Sequence, residues 1–277
     1  MRTSNPTLSE SAFQRLGGSQ GQGGYGYTAP TQPGYAQGPM AQTPYGSGTQ
    51  AAPYAQTDRF TVEGAIYKTA FLLGLLVVSA VMTMLLLPDD LFMIGIIGGA
   101  LTGFVLALVI IFKANLAPAL SPVYALVEGV FLGAITVLFE QDYPGIATQA
   151  LVGTMGVLGV MLVLYRTGVV KVTQRFRMIV ATATGAIMVT YLLSFVLSFA
   201  GIEFGFLRDS SMLSIGISLL VIGVAAANLA LDFDFIENAA ARGLPERAEW
   251  YAAFGLLVTL VWLYLEILRL LAKLNRR

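Results

Sequence analysis

The sequence predicts an all-α membrane protein with seven transmembrane helices, and three observations carry that reading. Of the 277 residues, 56% are hydrophobic and 12% charged, a ratio that a single soluble core of this length does not hold. The mean hydropathy is +0.72. Beyond residue 57 the apolar residues fall into long runs, each of the about 20 residues needed to cross a bilayer core at 1.5 Å per residue. These runs have neither the polar alternation nor the short length of barrel strands.

Residues 1–57 come first and form a separate unit. They hold ten glycines, six prolines and five tyrosines, and only Arg2, Glu10 and Arg15 are charged. Stretches such as GQGGYGY at 21–27 lack the aliphatic side chains needed to offset chain entropy, so a disordered tail is expected. The tail has no apolar stretch of the signal-peptide kind, and its glycines lack the Gly-Lys-Ser/Thr ending of a phosphate-cradling loop.

The second unit, residues 58–277, is the seven-helix transmembrane domain. Spans are expected at 66–87, 91–112, 119–139, 146–165, 178–200, 212–231 and 250–271, separated by loops that hold Pro, Gly and most of the charges. Gly95, Gly99 and Gly103 repeat every fourth residue in the second span, Gly129 and Gly133 in the third, and Gly153, Gly156 and Gly159 every third in the fourth. Such small residues let helix backbones approach closely, and helix–helix contact is the expected role of all of them.

Lysine and arginine set the orientation. With the tail in the cytoplasm, that side collects Arg59, Lys68, Lys113, Arg166, Lys171, Arg175, Arg177, Arg242 and Arg247. Seven full crossings then place Arg269, Lys273, Arg276 and Arg277 on the opposite side; a re-entrant last segment is the alternative, and the length of the run favours a crossing.

Composition also excludes chemistry. Sixteen basic residues balance sixteen acidic ones, so no basic excess attracts nucleic acid. Histidine and cysteine are absent, which removes disulfides, Cys/His metal sites, thiol nucleophiles and histidine-based acid–base catalysis. The four lysines all sit at span ends, so no Ser–Lys pair is placed for covalent catalysis. No enzyme and no bound cofactor are expected.

An ionised side chain at mid-membrane costs roughly 2.5–3.5 kcal/mol on insertion scales, so the acids inside the spans are the candidate site. Glu128 lies in the third span, with Ser121 and Tyr124 seven and four residues before it on the same helical face. It is either a functional acid or a neutral polar contact between helices. The sixth span ends NLALDFDFIE at 228–237, where Asn228 and Asp232 share a face and Asp234 points about 200° away from Asp232. Asp232 is therefore placed toward the interior and Asp234 at the interface, with a solvated helix end as the alternative for Asp234 and Glu237. Glu266, in the last span, has Arg269 three residues later, either as a local ion pair or as part of a gate.

These residues carry a resemblance. The segment SPVYALVEGVFLG at 121–133, the LDFDFI end of the sixth span at 231–236 and LYLEILRLL at 263–271 resemble the Bax inhibitor-1 family, in its bacterial branch with a Gly/Tyr/Pro-rich tail, over about residues 60–275. The resemblance implies a bacterial inner-membrane protein with a cytoplasmic N-terminus and a last helix ringed by the other six. It also implies a pH-sensitive calcium leak gated by two proton-sharing aspartates on the sixth and seventh helices. Asp232 takes the place of the first. Thr259 stands where the second is expected, and a threonine cannot share a proton in a carboxylate pair.

Glu128 is the candidate replacement partner for Asp232, and Glu266 a more distant one. Asp232 and Glu128 are also the candidate calcium ligands, although the sequence does not define a metal site. The expected function is therefore a carboxylate-gated calcium or proton pathway in a lipid bilayer. The alternatives are a non-conducting modulator that binds a membrane protein such as a quality-control protease, and a proton-coupled small-solute transporter.

Overall fold

The computed structural model describes residues 59–198 and 210–276; the tail at 1–57, the loop charge Arg208 and the terminal Arg277 lie outside them. Seven helices follow one another: α1 Val62–Leu86, α2 Phe92–Phe112, α3 Ala117–Asp142, α4 Ile146–Arg166, α5 Gln174–Ser198, α6 Met212–Ala241 and α7 Arg247–Asn275. All seven are long and apolar enough to span a membrane. Exposed apolar side chains such as Leu85, Ile94, Val152 and Val189 cover their outer surfaces, as a lipid-facing surface requires.

Helix α7 is the centre of the bundle. It packs against α1, α3, α4 and α6, and 61% of its most apolar stretch is buried, against 17–44% for the other six. It runs unbroken from Arg247 to Asn275. Its start meets the entry to α1, where Phe60 N donates to Leu244 O at 2.6 Å. At its other end Arg276 Nε donates to the Tyr143 hydroxyl at 3.1 Å and Lys273 packs on the start of α6. The last helix therefore crosses the whole bundle and is not re-entrant. The end of the bundle that holds Arg59 is called the near end below, and the other the far end.

Several boundaries differ from expectation by a few residues, and two of them have clear physical reasons. The sixth helix continues ten residues beyond 231, because the Asn228, Asp232, Phe235 and Ala239 face stays buried. It stops at Gly243, whose φ of 62° suits a residue without Cβ. The amides of Gly243 and Leu244 close the helix end on Ala240 O and Ala239 O. The third helix begins at Ala117, with Pro118 in its first turn, where the missing amide hydrogen is not needed.

The glycines divide unevenly. A Cβ at Gly129 would lie 2.5 Å from Leu76 O, one at Gly133 2.5 Å from Ala80 O, and one at Gly99 2.9 Å from Phe131 Cβ. These glycines permit the close α1–α3 and α2–α3 contacts. Gly156 and Gly159 have nothing within 4 Å, which corrects the expectation that they make helix contacts. A repeat of three drifts off one helical face, and in α4 only Gly153 still points at α7, against Ile267.

Candidate functional site

The buried acids of the bundle sit on three helices, α3, α6 and α7. On α3, Ser121, Tyr124 and Glu128 form one stripe, exposed by 0%, 4% and 8%. The Glu128 carboxylate lies over Gly103 of α2, where a Cβ would come within 2.7 Å of Oε2. The Tyr124 ring borders the same position, its Cε2 3.9 Å from it. Tyr124 in turn packs edge-on against Phe254 of α7, with ring centroids 5.0 Å apart. Ser121 Oγ is buried without a hydrogen-bond partner.

On α6, Asp232 is fully buried, nine residues and so about 13 Å inside the near end of its helix. Asn228, one turn deeper, donates to Thr184 Oγ1 of α5 at 2.8 Å and to Val224 O at 2.9 Å. Asp234 faces the other way and accepts from Arg177 Nη2 of α5 at 2.6 Å. Glu237 accepts from the Tyr165 hydroxyl of α4 at 2.7 Å. The end of α6 is thus tied to α4 and α5 by named partners and is not merely solvated.

On α7, Thr259 is buried and its hydroxyl donates back to Gly255 O at 3.2 Å. Glu266 is 1% exposed. Its Oε1 accepts from Arg269 Nη1 at 2.8 Å and from the Tyr191 hydroxyl of α5 at 2.8 Å. Arg269 also donates to Tyr191 and lies over its ring. The Glu266–Arg269 ion pair expected from the sequence is present, and a third residue from another helix completes it.

The heights of these groups follow from the helix registers. Tyr124 meets Phe254 and Thr136 meets Tyr264, so α3 and α7 run parallel and Glu128 is level with about Leu257. Phe235 meets Tyr251 and Ser218 meets Lys273, so α6 and α7 run antiparallel and Asp232 is level with about Gly255. Glu128, Asp232 and Thr259 therefore lie within about one helical turn of each other along α7.

The Glu128 carboxylate lies against α2, and Asp232 is buried on α6; the pair expected from the sequence thus consists of two buried acids at one height of the central helix. Among the described residues no three acids converge as a metal-holding group.

Sequence reasoning missed one buried cluster. Glu249, counted as a loop charge, is 2% exposed at the start of α7. It accepts from Thr61 N at 2.6 Å, from Thr61 Oγ1 at 3.0 Å and from Lys68 Nζ at 2.6 Å. Lys68 also reaches Glu246 and lies over the Trp250 ring. The partners are 181 residues apart, so no spacing rule could join them. The signal available was Gly64, whose missing Cβ leaves room for the Glu249 carboxylate.

Comparison with known proteins agrees with this architecture. The family described as Bax inhibitor 1 like matches residues 5–276, so the match takes in most of the tail that the sequence resemblance left out. No curated protein and no solved structure matches the chain. With a seven-helix bundle around a buried last helix and a family match over nearly its whole length, the chain is a multi-pass membrane protein that belongs to the Bax inhibitor 1 like family.

Proposed function

We propose that this protein is a pH-sensitive cation leak, with calcium as the ion carried, whose conduction is set by the protonation of Asp232 and Glu128. The observation that supports the reading is the placement of two buried carboxylates at the level of Thr259 of the helix at the centre of the bundle. Ionised, they supply oxygen ligands of the kind calcium takes. Protonated, they leave a neutral seam that a divalent cation does not enter. Because no three acids converge among the described residues, an ion held by one carboxylate at a time leaves as readily as it arrives, as conduction requires. The bacterial inner membrane with the N-terminus in the cytoplasm is part of this reading, supported by the lysines and arginines gathered at the near end. No catalytic step and no resident cofactor belong to it.

The test is calcium flux from loaded liposomes at about pH 5 to 8. The expected result is a flux that rises with pH in the wild type and is largely lost at every pH in Asp232→Asn, with Glu128→Gln reducing it less. Flux equal to that of protein-free liposomes across the range would refute the reading.

A second reading is favoured by Thr259, whose hydroxyl is bonded to its own helix and cannot share a carboxylate proton. In that reading the protein is a non-conducting modulator that binds another membrane protein, such as a quality-control protease. It predicts that Asp232→Asn and Glu128→Gln leave the cellular phenotype intact while deletion of 1–57 abolishes it. A proton-coupled transporter has less support, since α6 and α7 lack the broken ends that transporters use for substrate.

A further inference from the structure

The helices around α7 do not close on every side. Between α1 and α4 a groove of about 370 Å³ is left, with α3 and α7 as its floor. Ala80, Thr136, Ala147 and Thr154 line it, small side chains where larger ones would fill the space. Val77, Val81, Leu151 and Met155 also border it and are themselves exposed, so the groove opens on the outer, lipid-facing surface and is continuous with it. Helices α5 and α6 contribute none of its lining.

The hydroxyls on the lining already have partners. Thr136 Oγ1 and the Tyr264 hydroxyl are bonded to each other at 3.0 Å, and Thr154 Oγ1 donates to Ala150 O at 2.7 Å. Water settles in a cavity only where about two to four polar partners receive it, and the rest of the floor is Leu76, Leu132, Leu260 and Val261. Left empty, the groove would deprive its lining of van der Waals contact on one side. Hydrocarbon supplies that contact without burying a polar group.

Size and depth match one lipid chain. A cavity of about 150 Å³ takes one benzene, and at that ratio of volume to carbon the groove takes about fifteen carbons. On α1 it runs from Leu73, midway along the helix, to Met84 near the far end, about 16 Å at 1.5 Å per residue. One leaflet of hydrocarbon is about 15 Å deep, half of a core of about 30 Å. Ala147 and Thr148, at the start of α4, mark the far mouth, and Leu260, midway along α7, the inner end. We propose that this groove binds one acyl chain of a phospholipid from the far leaflet, which lies against the central helix at Leu260, Val261 and Tyr264. The groove includes neither Asp232 nor Glu128, so the site does not depend on the leak reading.

The test places full-length protein in phosphatidylcholine liposomes that contain a small share of phosphatidylcholine with a photoactivatable diazirine in one chain. After irradiation the label is mapped by peptide mass spectrometry. Lipid that only surrounds the bundle labels outward side chains such as Val152 and Val189. A chain in the groove also labels Leu260 and Val261, which are buried in the central helix. With the diazirine at the chain end, label is expected at Leu260 and Leu73; with the diazirine near the glycerol, at Thr148 and Met84. Ala80→Phe, which fills the groove, is expected to lower the label on Leu260 and Val261 about tenfold, while that on Val152 and Val189 stays the same. Val78→Phe, on the exposed outer surface, should change neither.

Wild-type protein without label on Leu260 and Val261, or Ala80→Phe with the wild-type label there, overturns the site. The reverse order of depth overturns it too, because the chain would then come from the near leaflet. An unlabelled α7 in protein that runs as a dimer in mild detergent gives the groove to a helix of a second copy instead. If Ala80→Phe does not purify as a single species, Ala147→Phe, on the α4 wall, is read the same way.

Discussion

Gly129→Ala is the sharpest test of how the bundle is assembled, because α1 and α3 touch there through backbone. A Cβ at position 129 would stand 2.5 Å from Leu76 O and 2.6 Å from Ser79 Cβ. An ordinary contact of about 3.4 Å requires the helices to part by nearly 1 Å, and a gap of that size forfeits a quarter to a half of each van der Waals contact across the interface. The same shift stretches the bond from Ser79 Oγ to Leu126 O, now 2.7 Å, beyond hydrogen-bonding distance, a loss of about 1 kcal/mol. Overpacking of this kind costs about 1–3 kcal/mol in all but the most compliant sites. Against these losses stands a gain of about 1 kcal/mol in helix propensity when Ala replaces Gly. The net expectation is a loss of about 1–3 kcal/mol. For a folded unit of this size each kcal/mol moves the melting midpoint by about 2–4 °C, so the midpoint should fall by about 2–12 °C. Thermal unfolding in detergent, followed by circular dichroism, measures it. Gly156→Ala, with nothing within 4 Å, is the control and should be neutral or stabilising. A Gly129→Ala protein that melts with the wild type would refute the close backbone contact as the reason for this glycine.

Two further predictions concern the ion pairs. In a double-mutant cycle of Lys68→Met and Glu249→Gln, a coupling of about 1–3 kcal/mol is expected, since Glu249 is nearly inaccessible and its contact with Lys68 is 2.6 Å; purely additive melting shifts would show that Glu246 alone satisfies Lys68. Arg177→Gln should lower stability by about 1–3 kcal/mol by leaving the part-buried Asp234 carboxylate without its guanidinium, and adding Asp234→Asn should recover part of that loss, which the melting midpoint of the double variant checks.

Much of the fold was legible because hydropathy and helix length speak directly of a bilayer: all seven spans stand where the apolar runs lie. The ends were less legible. The sixth span was expected to end at Leu231 with Asp232 on the interior face; that face is buried as expected, but the helix runs on to Ala241. The heptad of Thr259, Glu266 and Lys273 was visible as spacing, but whether its last member faces water or protein depends on Ser214 and Ser218, more than fifty residues away. The Glu249–Lys68 contact was beyond reach for the same reason. Periodicity fixes which residues share a face of one helix, whereas the partner of that face is set by how helices distant in sequence come together.

The buried charges fall into two kinds, and the difference bears on function. Lys68 with Glu249 joins α1 to α7, Arg177 with Asp234 joins α5 to α6, and Tyr191 with Glu266 joins α5 to α7. Each fixes the register of two helices, a recognised use for an ionic contact whose desolvation otherwise cancels much of its attraction. Glu128 differs: among the described residues it makes no ion pair with another helix, and its carboxylate lies over Gly103 of α2. A carboxylate inside the membrane that ties no helices together carries a desolvation cost without a structural compensation. Glu128→Gln, which keeps the shape, is accordingly expected to leave the melting midpoint unchanged or raise it, while lowering the calcium flux at the pH where the wild type conducts best. A Glu128→Gln protein that melts several degrees lower with undiminished flux would instead place Glu128 among the residues that hold the bundle together.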